Sequence, residues 1–382
     1  MKSRPHGAGR LVSCPGGYEA FVPAPLPPKI DLSPNLLRSL SDADRLIGRL
    51  AGEAAQLPNL HLLMRPFVAN EAALSSRIEG TEATLGELLA ADAGAAVQRS
   101  PEDLHEVGNY VVALEHGITR LDALPLSLRL VREVHERLMQ GVRGGHATPG
   151  EFRRSQNWIG PPGCTLADAT YVPPPVDELT NCLRAWEGFL HDRTLPALVQ
   201  VALLHYQFEA IHPFVDGNGR VGRLLSTLFL IERRILPTPL LYLSAFFEAT
   251  RSGYYDRLAA VTNEAAWTDW LTYFLNGVAR MSEDVLARVG RINDTLAMWR
   301  QVLAGVQAKA PFGLLELLAE NPFWTINKVA ERLGVAYTTA QRAVGKLESV
   351  GVLQQVGDAK RGRVYCAKPI LAILEEPPRI TA

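Results

Sequence analysis

Residues 212–223, with the sequence HPFVDGNGRVGR, bring a histidine, a carboxylate, three glycines and two arginines into one short stretch. Pro213, Gly217 and Gly219 interrupt the helical spacing of apolar residues, so the stretch predicts a loop rather than a core helix. Glycines allow backbone N–H groups to approach an anion, and a helix that begins near Arg220 would point its positive end at the same place. The loop therefore predicts a phosphate-binding site.

The charged side chains of this loop predict what would happen to the phosphate. Arg220 and Arg223 lie three positions apart, roughly on one face of the expected helix, where both guanidiniums can bind phosphate oxygens. Asp216 is a hard oxygen ligand suited to Mg²⁺. His212 is the one residue here whose ordinary pKa suits proton removal near neutral pH. The predicted chemistry is attack by a hydroxyl group on a nucleotide phosphate.

Two other interpretations compete for the same stretch. Residues 217–222 match the dinucleotide fingerprint Gly-x-Gly-x-x-Gly, but that fingerprint follows a β-strand, and residues 203–211 read as a helix. His205, Glu209 and His212 have helix-compatible spacing and suggest zinc, yet the signature His-Glu-x-x-His is absent. We therefore expect His205 to be a histidine of the core.

With every defined position present, residues 212–223 resemble the Fic motif, His-x-Phe-x-Asp/Glu-Gly-Asn-Gly-Arg-x-x-Arg. The resemblance implies a mostly helical domain that transfers AMP from ATP to a Ser, Thr or Tyr hydroxyl of a target protein, or of the enzyme itself. It implies His212 as the base and Phe214 as the buried anchor of the loop. Related Doc kinases carry a lysine-containing sequence in mid-motif, so the retained Gly219 favours nucleotidyl transfer.

The resemblance also implies a full set of nucleotide contacts inside the motif. Asp216 would hold Mg²⁺ against the α- and β-phosphates, and the glycines on either side of Asn218 would form the anion cradle. Arg220 and Arg223 would bind the β- and γ-phosphates. The implied nucleotide-binding residues of the motif are Asp216, Gly217, Asn218, Gly219, Arg220, Val221, Gly222 and Arg223.

A second stretch, residues 75–80 with the sequence SSRIEG, resembles the inhibitory-helix motif Ser/Thr-x-x-x-Glu-Gly/Asn. Ser75 and Glu79 are four positions apart and share a helix face, and Gly80 suits a helix end. A solvated polar face before a helix break is the simpler interpretation. The resemblance implies that Glu79 pairs with Arg223 and displaces the γ-phosphate of ATP. In some relatives the same glutamate aligns water to remove AMP, so a de-AMPylating enzyme is an alternative.

Residues 149–175 read as a short hairpin with proline-rich flanks. In position and character they resemble the flap of Fic proteins, which pairs with extended target segments and covers the nucleotide. Trp158, Ile159 and Gly160 are the candidate contacts. A proline-braced surface loop is the alternative for each of them.

Two adjacent tyrosines, Tyr254 and Tyr255, lie on a helix that resembles the adenine-side helix of relatives. The resemblance makes both of them candidate nucleotide contacts. An aromatic pair packed into the core is the alternative. The family often carries an asparagine further on, and Asn263 is one position out of that register.

The C-terminal part predicts a helix-turn-helix followed by a hairpin, which together resemble a winged helix. Thr325 can cap one helix and Gly334 can end it. Between residues 325 and 368, eight basic and three acidic residues give 8 − 3 = +5. This excess is a modest footprint for DNA. The residues expected to face DNA are Thr338, Thr339, Gln341 and Arg342 on the helix, and Lys360, Arg361 and Arg363 on the wing. Protein contact or dimerisation is the alternative.

The pattern of the whole chain predicts a mainly α protein: a Fic-type helical bundle with a β-hairpin flap, plus a C-terminal winged helix-turn-helix domain. The expected domains are an N-terminal helical region with the inhibitory helix (1–100), a catalytic domain (101–282), a linker helix (283–308) and the winged helix (309–376). The proline-rich first thirty residues are expected to run as extended chain over the surface.

The composition gives few clues to partners. A net charge of −1 over 382 residues says nothing about a polyanion for the whole chain. Four cysteines without metal or disulfide spacing, no signal peptide and no bilayer-length apolar run predict a cytoplasmic protein without a membrane partner. A homodimer is expected from relatives. The leading hypothesis is an autoinhibited, Mg²⁺-dependent protein adenylyltransferase. The alternative is a DNA-binding regulator whose Fic part senses nucleotide.

Overall fold

Helices make up most of the computed structural model, which describes residues 7–56, 60–142, 148–161 and 163–379. The N-terminal region contains strands β1 and β2 and helices α1–α3. In order, their bounds are Gly9–Cys14, Tyr18–Pro23, Pro34–Gln56, Leu60–Ile78 and Leu85–Asp92. The two strands pair antiparallel, with Gly9 opposite Pro23. The expectation of extended surface chain is wrong for β2, because Ala20, Phe21 and Val22 are buried.

The central region is a bundle of seven helices among the described residues, α4 to α10. Their bounds are Pro101–Leu121, Leu128–Leu138, Val176–Leu190, Ala197–Ile211, Asn218–Glu232, Leu243–Ala249 and Arg251–Glu264. Almost every residue of α7 is buried, in keeping with apolar side chains on all its faces. Helix α8 packs against α7, α4 and α5. The loop that joins α7 to α8 therefore has a rigid support on both sides.

The expected linker helix is the second half of a much longer helix. Helix α11 spans Trp267–Val302, so one continuous element runs from the catalytic bundle to the C-terminal domain. It packs along α1 over much of its length. Its stripe of Val289, Ile292, Leu296 and Trp299 is buried.

The C-terminal region is a winged helix, as expected. Its elements α12, β3, α13, α14, β4, β5 and α15 span Lys309–Leu317, Phe323–Thr325, Ile326–Leu333, Tyr337–Ser349, Gln354–Val356, Val364–Cys366 and Lys368–Glu375. The strands form a sheet in the order β3-β5-β4. Thr325 caps α13 by accepting the Lys328 N–H, and Gly334 ends it with a φ of 64°. Both features match the sequence prediction.

This domain is attached to the N-terminal region. Helix α15 packs against α2, α3 and α11. The backbone N–H of Gly86 donates to the Glu375 carboxylate over 2.9 Å, and the Asn321 amide donates to the Leu89 carbonyl over 3.0 Å. Among the described residues, no helix is long and apolar enough to cross a membrane.

Candidate active site

The candidate loop begins where α7 ends. His212 is the first residue after α7 and takes a left-handed conformation, with a φ of 49°, while its N–H still donates to the Phe208 carbonyl. This conformation is uncommon outside glycine, and it turns the chain sharply away from the helix. Helix α8 begins at Asn218, two residues earlier than expected, after Gly217 with a φ of 77°.

Side-chain hydrogen bonds hold the loop in shape from within. The Asn218 amide oxygen accepts the Phe214 N–H over 2.8 Å, and its NH₂ donates to the Phe214 carbonyl over 2.9 Å. Phe214 is fully buried, as expected for an anchor, and stacks on His135 with ring centroids 3.6 Å apart. Asn218 therefore uses its side chain for the loop and leaves only its backbone for an anion.

His135 supports the loop from α5, and nothing in the sequence marked it. Its Nδ1 accepts the Gly150 N–H over 2.9 Å, which leaves Nε2 to donate to the Asp216 carbonyl over 3.1 Å. Burial lowers its pKa to about 4, so the ring is neutral at physiological pH. This neutral tautomer connects the start of the flap to the loop.

Arg153 and Asn157 support the loop from the other side. The Arg153 guanidinium donates to the His212 carbonyl over 3.0 Å, and its backbone N–H donates to the Pro213 carbonyl over 2.9 Å. The Asn157 amide donates to the Phe214 carbonyl over 2.8 Å. The segment that leads into the flap thus holds these loop carbonyls by hydrogen bonds that water could otherwise have made.

One hydrogen bond sets the tautomer of His212. Its Nδ1 lies 3.3 Å from the Glu209 carbonyl, an acceptor only, so Nδ1 carries the proton and Nε2 has a free lone pair. Burial lowers the pKa of His212 to about 4, although the Glu209 carbonyl and the Glu79 carboxylate act in the opposite direction. The ring is therefore neutral, with Nε2 unprotonated, throughout the neutral range.

Asp216 lies at the open edge of the loop, with 54% of its side chain exposed. One carboxylate oxygen accepts the Gly217 N–H over 2.6 Å. The described residues contain no cluster of three or more histidine, cysteine or acidic side chains that could hold a metal. Mg²⁺ keeps several waters and commonly takes one or two carboxylates plus substrate phosphates, so a single exposed Asp216 beside a phosphate site fits it.

Arg223 is occupied by residues at the end of α2 and in the turn that follows it. Its Nη2 donates to Glu79 over 2.7 Å and to the Ser75 carbonyl over 2.9 Å, and its Nε donates to the Ser75 hydroxyl over 2.9 Å. The Arg223 side chain is 1% exposed. Burial alone would raise the pKa of Glu79, but the Arg223 guanidinium outweighs it and lowers that pKa. Burial alone would lower the pKa of Arg223, but the Glu79 carboxylate outweighs burial and raises that pKa.

The Glu79 carboxylate also lies on the glycine cradle. A Cβ built on Gly219 would overlap Glu79 Oε1 and come within 2.9 Å of the Arg223 guanidinium. Only a glycine leaves room for this approach. An acidic oxygen thus occupies the point where the loop, the start of α8 and Arg223 would otherwise bind an anion together.

A buried carboxylate fixes the helix that precedes Glu79. Glu71, two turns earlier on α2, accepts the Ser244 N–H over 3.0 Å, the Ser244 hydroxyl over 2.5 Å and the Tyr110 hydroxyl over 3.1 Å. These bonds join α2 to α9 and α4. They fix the register of α2 and therefore the reach of Glu79.

Three further motif residues, Arg220, Val221 and Gly222, each have different neighbours. Arg220 pairs with Glu106 of α4 over 2.5 Å, a partner that the sequence did not suggest. Val221 is fully buried in the core, so its side chain does not face the loop. A Cβ on Gly222 would overlap the Glu209 carboxylate. Burial raises the pKa of Glu209 to about 7.

The flap residues lie beside the loop with exposed side chains. Trp158 and Ile159 are 41% and 40% exposed. The expected hairpin is reduced to one antiparallel bridge, between Ile159 and Tyr171, within the part of the flap that the structure describes. Gly160 lies close to Cys164, whose carbonyl accepts the Trp158 indole N–H over 3.1 Å. Residue 162 of the predicted hairpin lies outside the described residues.

The two tyrosines of α10 differ in environment. Tyr254 is buried, and its hydroxyl lies 2.8 Å from Nε2 of His205, which is a core histidine as expected. Tyr255 is 44% exposed. Asn263 is exposed on the same helix. Of the two predicted nucleotide contacts, only Tyr255 presents much surface to a ligand.

Comparison with known proteins gives matches over the same regions. A model described as Fic/DOC family N-terminal matches residues 37–119, one described as Fic/DOC family matches residues 125–230, and an IclR helix-turn-helix domain model matches residues 312–357. The chain is 31% identical over 167 residues to the protein adenylyltransferase Fic of Drosophila virilis, covering 41% of this chain and 31% of that protein. The Drosophila melanogaster protein of the same name is 30% identical over 141 residues, or 35% of this chain and 26% of that protein.

Solved structures share the fold. A Fic family protein from Desulfovibrio desulfuricans G20 superposes with a TM-score of 0.60 at 20% identity, covering 90% of this chain and 98% of that chain. A variant of Fic-1 from C. elegans gives a TM-score of 0.50 at 23% identity, covering 67% of this chain and 73% of that chain. The chain spans under a third of the length of the two Drosophila relatives. Residues 37–119 and 125–230 therefore match the two characteristic domains of the Fic/DOC family, and the chain shares the fold of a Fic family protein.

Proposed function

We propose that this chain is a protein adenylyltransferase that transfers AMP from ATP to a hydroxyl of a target protein or of itself. One observation carries the proposal: the carboxylate of Glu79 occupies Arg223 and the Gly219 cradle together, beside the free Nε2 of His212. An anion-binding site next to a neutral imidazole suits transfer from a nucleotide to an alcohol. The names of the Drosophila relatives support adenylyl transfer.

In the proposed reaction the target hydroxyl oxygen attacks the α-phosphorus of ATP. A new P–O bond forms, the bond between the α-phosphorus and the bridging oxygen breaks, and pyrophosphate leaves. The hydroxyl proton passes to Nε2 of His212, whose Nδ1–H stays on the Glu209 carbonyl and holds the ring in place. Arg153 and His135 keep the loop rigid, so the base does not need to be positioned during the reaction.

The triphosphate would be held by backbone N–H groups of the loop and the start of α8, with Arg223 on the γ-phosphate. Asp216 would hold Mg²⁺ at the exposed edge of the loop. When bound, Mg²⁺ would neutralise phosphate charge. Trp158, Ile159 and Tyr255 offer exposed surface for the nucleotide or the target.

Autoinhibition follows from competition for one guanidinium. While Glu79 pairs with Arg223, the γ-phosphate has neither that partner nor the cradle, and the carboxylate repels it. ATP can then bind only in a displaced, unproductive pose. Removal of Glu79 leaves Arg223 free for the triphosphate. Incubation of the wild type, His212→Ala and Glu79→Gly with labelled ATP and Mg²⁺ tests both parts: label should rise with Glu79→Gly and disappear with His212→Ala.

A second function is proposed for the winged helix, namely binding of double-stranded DNA. All four residues expected to face the major groove, Thr338, Thr339, Gln341 and Arg342, are exposed on α14. The basic wing residues Lys360, Arg361 and Arg363 are exposed as well. A gel-shift titration with duplex DNA at several salt concentrations would test it, because phosphate contacts make affinity fall with salt. The homodimer and the cytoplasmic location stay predictions.

A further inference from the structure

Glu106, on α4, is a carboxylate that the mechanism above leaves without a role. One of its oxygens, Oε1, accepts a hydrogen bond from Arg220 Nη1 over 2.5 Å. The Arg220 side chain is 4% exposed and that of Glu106 is 18% exposed, so water competes little for the pair. Hydrogen bonds between charged groups are short and strong in such surroundings. Glu106 therefore fixes the orientation of one of the two motif arginines.

The same oxygen also reaches the proposed inhibitory segment, residues 75–81. The Thr81 hydroxyl donates to Glu106 Oε1 over 3.1 Å. Thr81 follows Glu79 by two residues and is 8% exposed. Its backbone N–H donates to the Ser76 carbonyl over 3.1 Å, which closes the turn that carries Glu79. The inhibitory segment thus contacts Arg223 directly and Arg220 through Glu106.

The rest of the Arg220 guanidinium points along the loop. Its Nη2 lies 3.7 Å from the Met139 sulfur and 4.0 Å from an Asp216 carboxylate oxygen. Its Nε is buried without a hydrogen-bond partner among the described residues. Arg220 therefore has donor capacity left beside the Asp216 edge of the phosphate site, and within the described parts of the chain only Glu106 holds it there by a strong bond.

We propose that Glu106 is a positioning residue shared by the phosphate site and the inhibitory segment. Through Arg220 Nη1 it orients the guanidinium so that its remaining donors serve the triphosphate. Through the Thr81 hydroxyl it holds the turn that delivers Glu79 to Arg223. The inference rests on the proposed function, which places Arg223 on the γ-phosphate, and extends that phosphate site to Arg220.

The first test measures ATP affinity by titration calorimetry in the Glu79→Gly background, where Arg223 is free. Glu106→Gln keeps the size of the side chain and removes its charge. We expect it to weaken ATP binding about tenfold, which is the lower end for a hydrogen bond to a charged group. Glu115→Gln is the matched control, since Glu115 is exposed on the same helix and should leave the affinity unchanged.

A double-mutant cycle separates positioning from a general structural effect. If Glu106 acts through Arg220, then Glu106→Gln should have no further effect on ATP affinity once Arg220→Gln is present. Equal weakening with and without Arg220, or no weakening at all, would overturn the proposal. If the Glu79→Gly protein itself fails to bind ATP, the proposed function fails instead, and the two failures are distinguishable.

The second test concerns Thr81 and does not depend on the folding of the Glu106 variant. Thr81→Val removes the hydroxyl and keeps the shape, and Thr81→Ser restores the hydroxyl. With Glu79 present, Thr81→Val should raise AMP transfer about threefold to tenfold, because the turn loses one buried hydrogen bond. Thr81→Ser should match the wild type. With Glu79→Gly, Thr81→Val should change nothing. A rise of equal size in both backgrounds, or none in either, would refute the link.

Discussion

Replacement of Glu79 by glycine should convert the resting protein into an active one, and the size of the effect follows from the contacts. Glu79 makes one charge-assisted hydrogen bond of 2.7 Å to Arg223. Such a bond contributes about 1.5–3 kcal/mol. The Glu79 side chain is 36% exposed, so solvent screens part of this and the lower end applies. We therefore expect productive ATP binding to tighten at least tenfold, since about 1.4 kcal/mol is one factor of ten.

The backbone at position 79 does not oppose this substitution. Glu79 lies in the turn after α2, so a glycine there interrupts no helix. Two assays should agree: the ATP dissociation constant from calorimetry and the initial rate of AMP transfer. The melting temperature gives a third measurement. Without ATP the variant should melt below the wild type, because Arg223 is left buried without its charged partner. Saturating ATP should restore more of the melting temperature in the variant than in the wild type.

The matched control is Glu82→Gly, three residues further on, where the side chain is 80% exposed and pairs with Arg99. It should leave ATP affinity and AMP transfer as in the wild type. The reasoning would be refuted if Glu79→Gly left the dissociation constant unchanged. It would also be refuted if Glu82→Gly tightened ATP binding as much.

Three further predictions concern other parts of the chain. In the Glu79→Gly background, His212→Ala should reduce AMP transfer at least a hundredfold, as expected for a general base. The ATP dissociation constant from calorimetry should change less than twofold, and a parallel loss of ATP binding would contradict the role of His212 as base. Arg342→Ala should weaken DNA binding in a gel shift, whereas Arg129→Ala, at an exposed side chain of α5, should not; equal affinities would argue for a protein-binding winged helix. Burial lowers the pKa of His205 to about 3 from an ordinary 6.5, so folding excludes its proton and stability falls as pH drops from about 6.5 towards 3. His205→Gln should make the melting temperature fall less steeply across that range, because His135 and His212 still contribute to the slope, and an unchanged slope would contradict it.

Local residue patterns were enough to predict the site's centre. Glycines, a proline and charged residues at fixed spacing specify the loop, because backbone conformation and charge depend on neighbours in the sequence. The same holds for the winged helix, where Thr325 and Gly334 mark the ends of α13. The pairing of Glu79 with Arg223 spans 144 positions and was predicted only through the family resemblance.

The supporting residues could not be predicted in this way. His135, Arg153 and Glu106 reach the loop from 59 to 114 positions away. A single histidine, arginine or glutamate on an amphipathic helix or in a loop looks like a solvated residue, because its partners are set by the packing of α4, α5 and α8. The burial of strand β2 could not be predicted for a related reason: it depends on packing against α6 and α7 and on the flap, where the Phe21 N–H donates to the Val172 carbonyl over 2.9 Å.

Labelled ATP tests the central claim most directly. The Glu79→Gly protein is incubated with Mg²⁺ and a cell lysate, and ATP carries its label at the α-phosphate in one reaction and at the γ-phosphate in the other. The α-label should stay on protein, both on targets and on the enzyme where it modifies itself, and it should vanish with His212→Ala. The γ-label should leave with pyrophosphate. The lysate's own kinases label protein from the γ-position whichever variant is added. More γ-label than with His212→Ala in the same lysate, or α-label that persists without His212, would contradict the account.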